Sequence, residues 1–242
     1  MIELLIAEAA SNREHRKRLK ERFKMAALDG FHDYEILELL LAYAVPKKDV
    51  KILAKALIKK FNGMRGVFDA SPDELKSVKG IGENAALLIR LIKDVTGIYL
   101  KERMMGKDVI LCPKDVLDYL NMTLSGERVE KFLAIYLNSK NEVLAIEILH
   151  EGTINQTIVY PRKAIEKAFK HNARSVIFVH NHPSGDSTPS GMDKQLMKAL
   201  DRAAQAVDVL VLDHLIIGKN THFSARESGM INAPHNHRCM AP

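Results

Sequence analysis

The chain has 242 residues, of which 27% are charged and 47% hydrophobic, which indicates one or two globular domains and not a disordered or fibrous protein. No apolar run reaches the roughly 18 residues that a membrane helix needs, and segment 1–10 lacks the basic leading region of a secretory signal. We therefore expect no membrane partner. Two cysteines cannot build a disulfide framework, so we expect a cytoplasmic protein. Most of the formal net charge of +6 lies in residues 1–105.

Residues 1–105 are predicted to form a helical region. We expect helices over 34–43, 50–61, 72–78 and 83–100, where apolar residues are dense and strand-like alternation is weak. Pro46 separates the first two helices, and Ser71 and Glu74 form a capping box that opens the third. The densest positive charge, at 13–24, favours a polyanionic partner such as nucleic acid; the alternative is a solvated amphipathic helix.

Residues 106–230 are predicted to form a second domain, which follows the polar segment 101–108. Alternating or β-branched runs predict strands at 132–137, 142–149, 153–160, 175–179, 207–217 and 221–224. Helical patterns lie at 116–120, 161–168 and 190–206. We therefore expect an α/β domain with a mixed, mainly antiparallel sheet, followed by a tail over 231–242.

A candidate metal site lies at the end of the strand predicted over 175–179. His180 and His182 are two positions apart, so their imidazoles project to the same side. Asp193 falls in the first turn of the next helix, and the Pro- and Gly-rich loop between can return its carboxylate to the same point. Two imidazoles and one carboxylate suit zinc with an open fourth position, where a bound water ionises near neutral pH. We predict one zinc ion per chain.

Each of these features also has a structural explanation. An isolated H-x-H is common, and Ser190 with Asp193 could be only a helix cap. The prolines and glycines of the loop could be ordinary turn residues. Their coincidence directly after an apolar strand favours the metal site.

The segment 180–193 resembles the JAMM metalloprotease motif of the MPN+ fold, which is H-x-H, seven residues, Ser, two residues and Asp, with a glutamate upstream. Asn181 stands where that motif usually has Ser or Thr, and the variant HNHPSGDxxPSxxD is the hallmark of the RadC family. The similarity extends to 152–156, 160–162 and 212–218. It implies an MPN domain (JAB/cytidine-deaminase-like), the zinc ligands His180, His182 and Asp193, and Ser190 as support for an oxyanion.

The resemblance also implies a glutamate as general base. We place that role at Glu130, which lies just before the strand over 132–137. The competitors are Glu142, Glu147 and Glu151. Of these, Glu147 lies between two isoleucines of an alternating strand and is expected to face solvent.

Other polar residues could support the site. Asp213 and His214 could contact the metal ligands from outside, but such a pair more often satisfies backbone groups at a strand end, and we favour that interpretation. Asp186 could add an oxygen ligand, although Asp after Gly usually forms a turn. We assign no site to the ligand-type residues of the tail, His235, His237 and Cys239.

The segment 78–86 resembles a helix-hairpin-helix motif, which we place near 75–97. Gly80 and Gly82 permit a tight turn, and the N–H groups of this turn, with the following helix N-terminus, could cradle a DNA phosphate. Such contacts are nearly independent of base sequence. The candidate contact residues are Lys79, Gly80, Ile81 and Gly82. The alternative is a purely structural turn, and Glu83 and Asp94 place negative charge nearby.

These features lead us to expect a RadC-like protein of two domains, an all-α DNA-binding region followed by an α/β MPN domain. The resemblance implies DNA repair or recombination and zinc-dependent, metallopeptidase-like amide hydrolysis, with a protein as a candidate substrate. The alternatives are a non-catalytic DNA-binding accessory protein with structural zinc and a metal-dependent nuclease.

Overall fold

The computed structural model describes residues 2–46, 48–152 and 159–231, with side chains from residue 12 onward. The helices are α1 (Ile2–Ala26), α2 (Asp33–Ala44), α3 (Lys51–Phe61), α4 (Met64–Asp69), α5 (Pro72–Lys76), α6 (Glu83–Met104), α7 (Pro113–Leu124), α8 (Pro161–Lys170) and α9 (Gly191–Gln205). The strands are β1 (Lys131–Leu137), β2 (Val143–Glu151), β3 (Ser175–Asn181), β4 (Leu210–Ile217) and β5 (His222–Ser224).

The chain packs as two compact units, Met1–Val95 and Thr96–Pro242. The division lies inside α6, upstream of the polar segment from which the sequence suggests a domain boundary. The last turns of α6 belong to the second unit because Met104 is buried in its core and Leu100 packs against that core.

The first unit is helical, as predicted. Its core is formed by apolar residues from α2 to the start of α6, among them Leu37, Leu57, Leu75 and Ile89. The predicted capping box is confirmed: the Glu74 N–H donates to Ser71 Oγ, and the Glu74 carboxylate accepts the Ser71 N–H.

The second unit is built on a five-stranded sheet in the order β2-β1-β3-β4-β5. β1 is antiparallel to both β2 and β3, β3 is parallel to β4, and β4 is antiparallel to β5. The predicted mixed, mainly antiparallel sheet in an α/β domain is therefore confirmed. The parallel pair results from the crossover through α9, because parallel neighbours cannot be joined by a tight turn.

Both faces of β1 and β3 are buried, which explains why their sequences are continuous apolar runs. Leu133, Ile135 and Leu137 face the core that includes α7. Phe132, Ala134 and Tyr136 alternate with them and face the core beneath α8 and α9. The even-numbered residues of β3, Val176 and Phe178, lie on this second face, so the next even position, His180, emerges between the sheet and α9.

The other predicted elements agree with the structure to within a few residues. The predicted strand over 153–160 lies largely outside the described residues, and Val159 and Tyr160 form no strand. Helix α4 was not predicted, because it is short and contains Gly66.

Candidate metal centre

Three elements bring four candidate ligands together. His180 lies near the end of β3, His182 directly follows that strand, Asp193 lies in the first turn of α9, and Glu130 lies immediately before β1. Because β1 and β3 are antiparallel, with Phe132 opposite His180, the start of β1 lies beside the end of β3. One ligand atom from each of the four residues lies within 4.8 Å of the others.

The distances suit a small divalent cation. His180 Nε2 and His182 Nε2 are 3.1 Å apart. The carboxylate oxygens of Asp193 lie 3.3 Å from each of these nitrogens, Oδ1 beside His180 and Oδ2 beside His182. Ligands held at 2.0–2.1 Å in a tetrahedral zinc site are separated by about 3.3 Å. The donor atoms of these three residues therefore have the spacing and the chemistry of zinc ligands.

Glu130 lies farther from this group. Its Oε1 is 3.9 Å from His180 Nε2. Its position is set by Asn181, whose side chain is buried between β3 and the segment before β1. Asn181 Oδ1 accepts the Lys131 N–H at 2.8 Å, and its Nδ2 donates to the Val129 carbonyl at 3.2 Å. Asn181 thus fixes the backbone on both sides of Glu130, which explains an asparagine between the two histidines.

The outer nitrogens of both histidines have polar contacts. His182 Nδ1 donates to the Asp186 carbonyl at 2.7 Å, so in the neutral ring the lone pair is on Nε2, which faces the other ligands. His180 Nδ1 lies 3.0 Å from His214 Nε2, and both rings are buried. The favoured interpretation of His214 as a strand-end residue was therefore wrong, because His214 lies inside β4, opposite Phe178, and its ring contacts that of His180.

Asp213 does satisfy backbone groups, as expected. Its Oδ1 accepts the N–H groups of His214 and Arg226, and its Oδ2 accepts the hydroxyl of Ser224. The Asp186 side chain forms a turn, in which Oδ1 accepts the N–H and hydroxyl of Thr188.

Asp193 lies in the first turn of α9, where its side chain is buried and held by a capping box. The Ser190 N–H donates to Asp193 Oδ2 at 2.7 Å, and the Asp193 N–H donates to Ser190 Oγ at 3.1 Å. The helix cap and the group of candidate ligands are therefore not exclusive, because Asp193 takes part in both. The cap fixes the carboxylate whose oxygens face the histidines.

The electrostatics favour a cation. Burial alone would raise the pKa of Asp193, but hydrogen bonds from His180, His182 and Ser190 outweigh it and hold that pKa well below its usual range. The hydrogen bond to Asp193 raises the pKa of His182, whereas burial lowers the pKa of His180. A carboxylate that stays ionised beside two imidazoles is the donor set that a divalent metal requires.

Comparison with known proteins gives the family. A model described as a RadC-like JAB domain matches residues 110–230, and one described as UPF0758 N-terminal matches residues 11–87. A UPF0758 protein of Fusobacterium nucleatum subsp. nucleatum is 40% identical over 227 residues, which cover 91% of this chain and 98% of that protein. A UPF0758 protein of Ruegeria pomeroyi is 37% identical over 219 residues, which cover 90% and 98% respectively.

This chain belongs to the RadC family. The resemblance recognised from the motif is thus confirmed, as is the JAB-type fold of the second unit. Within the described residues, no helix combines the length and apolar composition of a membrane span.

The competing glutamates of this RadC-family domain lie elsewhere. Glu142 accepts a hydrogen bond from Asn138 in the β1–β2 turn, and Glu151 pairs with Lys131. Glu147 was expected to face solvent, but it is only partly exposed and bonds to α8 through Lys167. Among the upstream glutamates considered, only Glu130 is in the four-residue group found in the described part of the chain.

The predicted nucleic-acid turn connects α5 and α6. Gly80 has φ +100°, and a Cβ there would lie 2.7 Å from a methyl carbon of Leu53, so glycine is required for the fold itself. Lys79 and Gly82 are exposed. Ile81 is buried in the helical core, and its N–H donates to the Val78 carbonyl, so neither its side chain nor its N–H is available to a phosphate. The tail residues His235, His237 and Cys239, to which no site was assigned, lie outside the described residues.

Proposed function

We propose that the second unit is a zinc-dependent hydrolase of amide bonds. The convergence of His180, His182, Asp193 and Glu130 is the observation that supports this function best. It lies beside an open cavity of about 470 Å³ that is lined by Glu130, His182, Ser190 and the first turn of α9. A metal ion held by residues beside a cavity is accessible to a substrate, whereas a structural zinc site is closed by its protein ligands.

The residues present fit a zinc ion. Two imidazoles with inward-facing Nε2 atoms and one ionised carboxylate would hold it, with Glu130 set slightly outside. When bound, zinc supplies Lewis acidity that polarises a carbonyl and lowers the pKa of water. His180 is held by β3, Asp193 by the capping box of α9 and His182 by the Asp186 carbonyl, which supports a ligand geometry that exists before binding.

Glu130 is the proposed general base. Its carboxylate borders the cavity, and Asn181 fixes the backbone on either side of it. A carboxylate in this position accepts a proton from the attacking water and returns it to the leaving amine. Ser190 Oγ already accepts the Asp193 N–H, so its hydroxyl proton remains able to donate to an oxyanion in the cavity.

The test is hydrolysis of a peptide library by the zinc-loaded protein. Glu130→Gln should reduce cleavage by roughly 10²–10⁴-fold with zinc content unchanged, because it removes the proton acceptor. Glu142→Gln is the matched control, since Glu142 lies in the β1–β2 turn, at the opposite end of β1 from Glu130, and accepts a hydrogen bond from Asn138. Undiminished cleavage by Glu130→Gln would show that the base is misassigned.

Two alternatives give different results in the same experiment. If the zinc-loaded protein cleaves no peptide but retains its metal, the zinc is structural and the protein is an accessory factor. If it cleaves DNA strands and this cleavage is lost with the metal ligands, the protein is a nuclease.

We also propose that the helical unit binds the DNA backbone. The exposed turn at Lys79 and Gly82 supports this, as does a row of cations along α1 that lines a cavity of about 640 Å³. These cations are Arg13, Lys17, Lys20 and Lys24; Arg16 also lines the cavity, but its guanidinium donates to the carbonyls of Val45 and Pro46. Because such binding releases counterions, DNA affinity should fall steeply with salt concentration. A flat salt response would contradict the proposal.

Gly82 offers a sharper test of the turn than Gly80. A Cβ at Gly82 meets nothing within 4 Å, so Gly82→Ala should leave the fold unchanged while obstructing the approach of a phosphate. We expect weaker DNA binding with an unchanged melting temperature. Unchanged affinity would favour the structural-turn alternative, in which Gly80 alone matters for the fold.

A further inference from the structure

His214 lies outside the four candidate ligands but is in direct contact with one of them. Its Nε2 is 3.0 Å from His180 Nδ1, and the two rings are perpendicular, with centroids 5.2 Å apart. Both side chains are almost completely excluded from solvent, with exposures of 0% for His180 and 1% for His214. No water can therefore substitute for either partner.

The contact determines which His180 nitrogen carries a proton. A neutral imidazole has one N–H and one lone pair, and a nitrogen that binds a metal must present its lone pair. His180 Nε2 faces His182 and Asp193, so metal binding there requires the His180 proton to be on Nδ1. That Nδ1–H then needs a buried acceptor, and His214 Nε2 is at hydrogen-bond distance.

We infer that His214 is a positioning residue, which accepts the His180 Nδ1–H and thereby directs the His180 Nε2 lone pair toward the metal. This inference rests on the proposed zinc site. It adds a third histidine to the site, one that acts only through His180.

The surroundings of His214 hold its ring in place. The ring packs edge-on against Phe132 at 5.4 Å and lies 6.1 Å from the ring of Phe178. Its backbone is fixed by Asp213, whose carboxylate accepts the His214 N–H, and by the Ala225 N–H, which donates to the His214 carbonyl. A rigid acceptor preserves the orientation of the ligand it contacts.

The two histidine ligands therefore differ in how they are oriented. His182 donates to the backbone carbonyl of Asp186, which no side-chain substitution removes. The orientation of His180 depends on a side chain, so a substitution at His214 should alter one ligand and leave the other intact.

The test measures zinc affinity by competition with a chelator. His214→Phe keeps an aromatic ring among Phe132 and Phe178 but has no acceptor, and should bind zinc 10- to 100-fold more weakly. His214→Gln retains an acceptor oxygen and should stay within about threefold of the wild type. His171→Phe is the matched control, because His171 contacts Glu147 and not the metal cluster.

A spectroscopic measurement on the unmodified protein is independent of how the variants fold. In the zinc-loaded chain, ¹⁵N–¹H spectra should show His180 protonated at Nδ1 and metal-bound at Nε2, with His214 Nε2 unprotonated. Wild-type zinc affinity in His214→Phe would overturn the inference, as would equal losses in His214→Phe and His214→Gln or a proton on His214 Nε2. In each case the proposed function would survive. Absence of zinc from the wild type would instead refute the proposed function.

Discussion

Replacing Asn181 with alanine tests how the position of Glu130 is determined. The change removes one acceptor of the Lys131 N–H at 2.8 Å and two donor contacts, to the carbonyls of Val129 at 3.2 Å and Glu127 at 3.4 Å. Asn181 is 1% exposed, so water cannot readily replace these bonds. A buried N–H without an acceptor costs about 1–3 kcal/mol, and the two longer bonds contribute less. We expect a loss of about 2–4 kcal/mol in the free energy of unfolding.

The assay is urea denaturation followed by amide NMR signals of β1 and β3, so that only the unit carrying the site is measured. Hydrogen exchange at the Lys131 amide should accelerate in the same variant, because its acceptor is lost. Asn138→Ala is the matched control. Asn138 also makes three hydrogen bonds, to the Lys140 and Glu142 N–H groups and to the Glu142 carboxylate, but in a partly exposed turn.

The control should lose only about 1 kcal/mol, since water can solvate the groups that it leaves. Equal losses in the two variants would refute the argument from burial. Unchanged exchange at the Lys131 amide would show that Asn181 does not hold the segment on which Glu130 lies.

Two further predictions concern the loop after β3 and the α8 face of the sheet. Gly218→Ala should lower the free energy of unfolding by roughly 1–3 kcal/mol, because its Cβ would lie 2.4 Å from the Gly185 carbonyl oxygen. It should also weaken zinc binding, because Gly185 lies in the loop between His182 and Asp193. The control Gly191→Ala, whose Cβ meets nothing within 4 Å, should not lower the melting temperature. Lys167 and His171 lower the pKa of Glu147 from 4.5 to about 2, so the stability they provide should be present above pH 4.5 and lost as the pH falls toward 2. Glu147→Gln should therefore lower the free energy of unfolding by about 1 kcal/mol at pH 7, since Glu147 and its partners are partly solvated, and should have no effect near pH 2. A loss of stability that is independent of pH would contradict this assignment.

Much of the fold could be predicted because its signals are local. The apolar run at 132–137 predicts a strand, and the Ser71 capping box marks a helix start. The unit division within α6 could not be predicted, because the helix continues through it and only the burial of Met104 shows which core its end joins.

The metal site divides in the same way. His180, His182 and Asp193 could be predicted because they are close in sequence and their spacing is informative. Glu130 was a choice among several glutamates until the antiparallel pairing of β1 with β3 placed it beside them. His214 is 34 residues from His180 and becomes its neighbour only through the parallel register of β3 and β4, which periodicity does not reveal.

The most direct test of the account is metal analysis of the purified protein after exposure to zinc and removal of the excess. We predict about one zinc ion per chain, and a large loss in a His180→Ala/His182→Ala double variant that retains its fold by NMR. Zinc retained by that variant at the wild-type level would contradict the site.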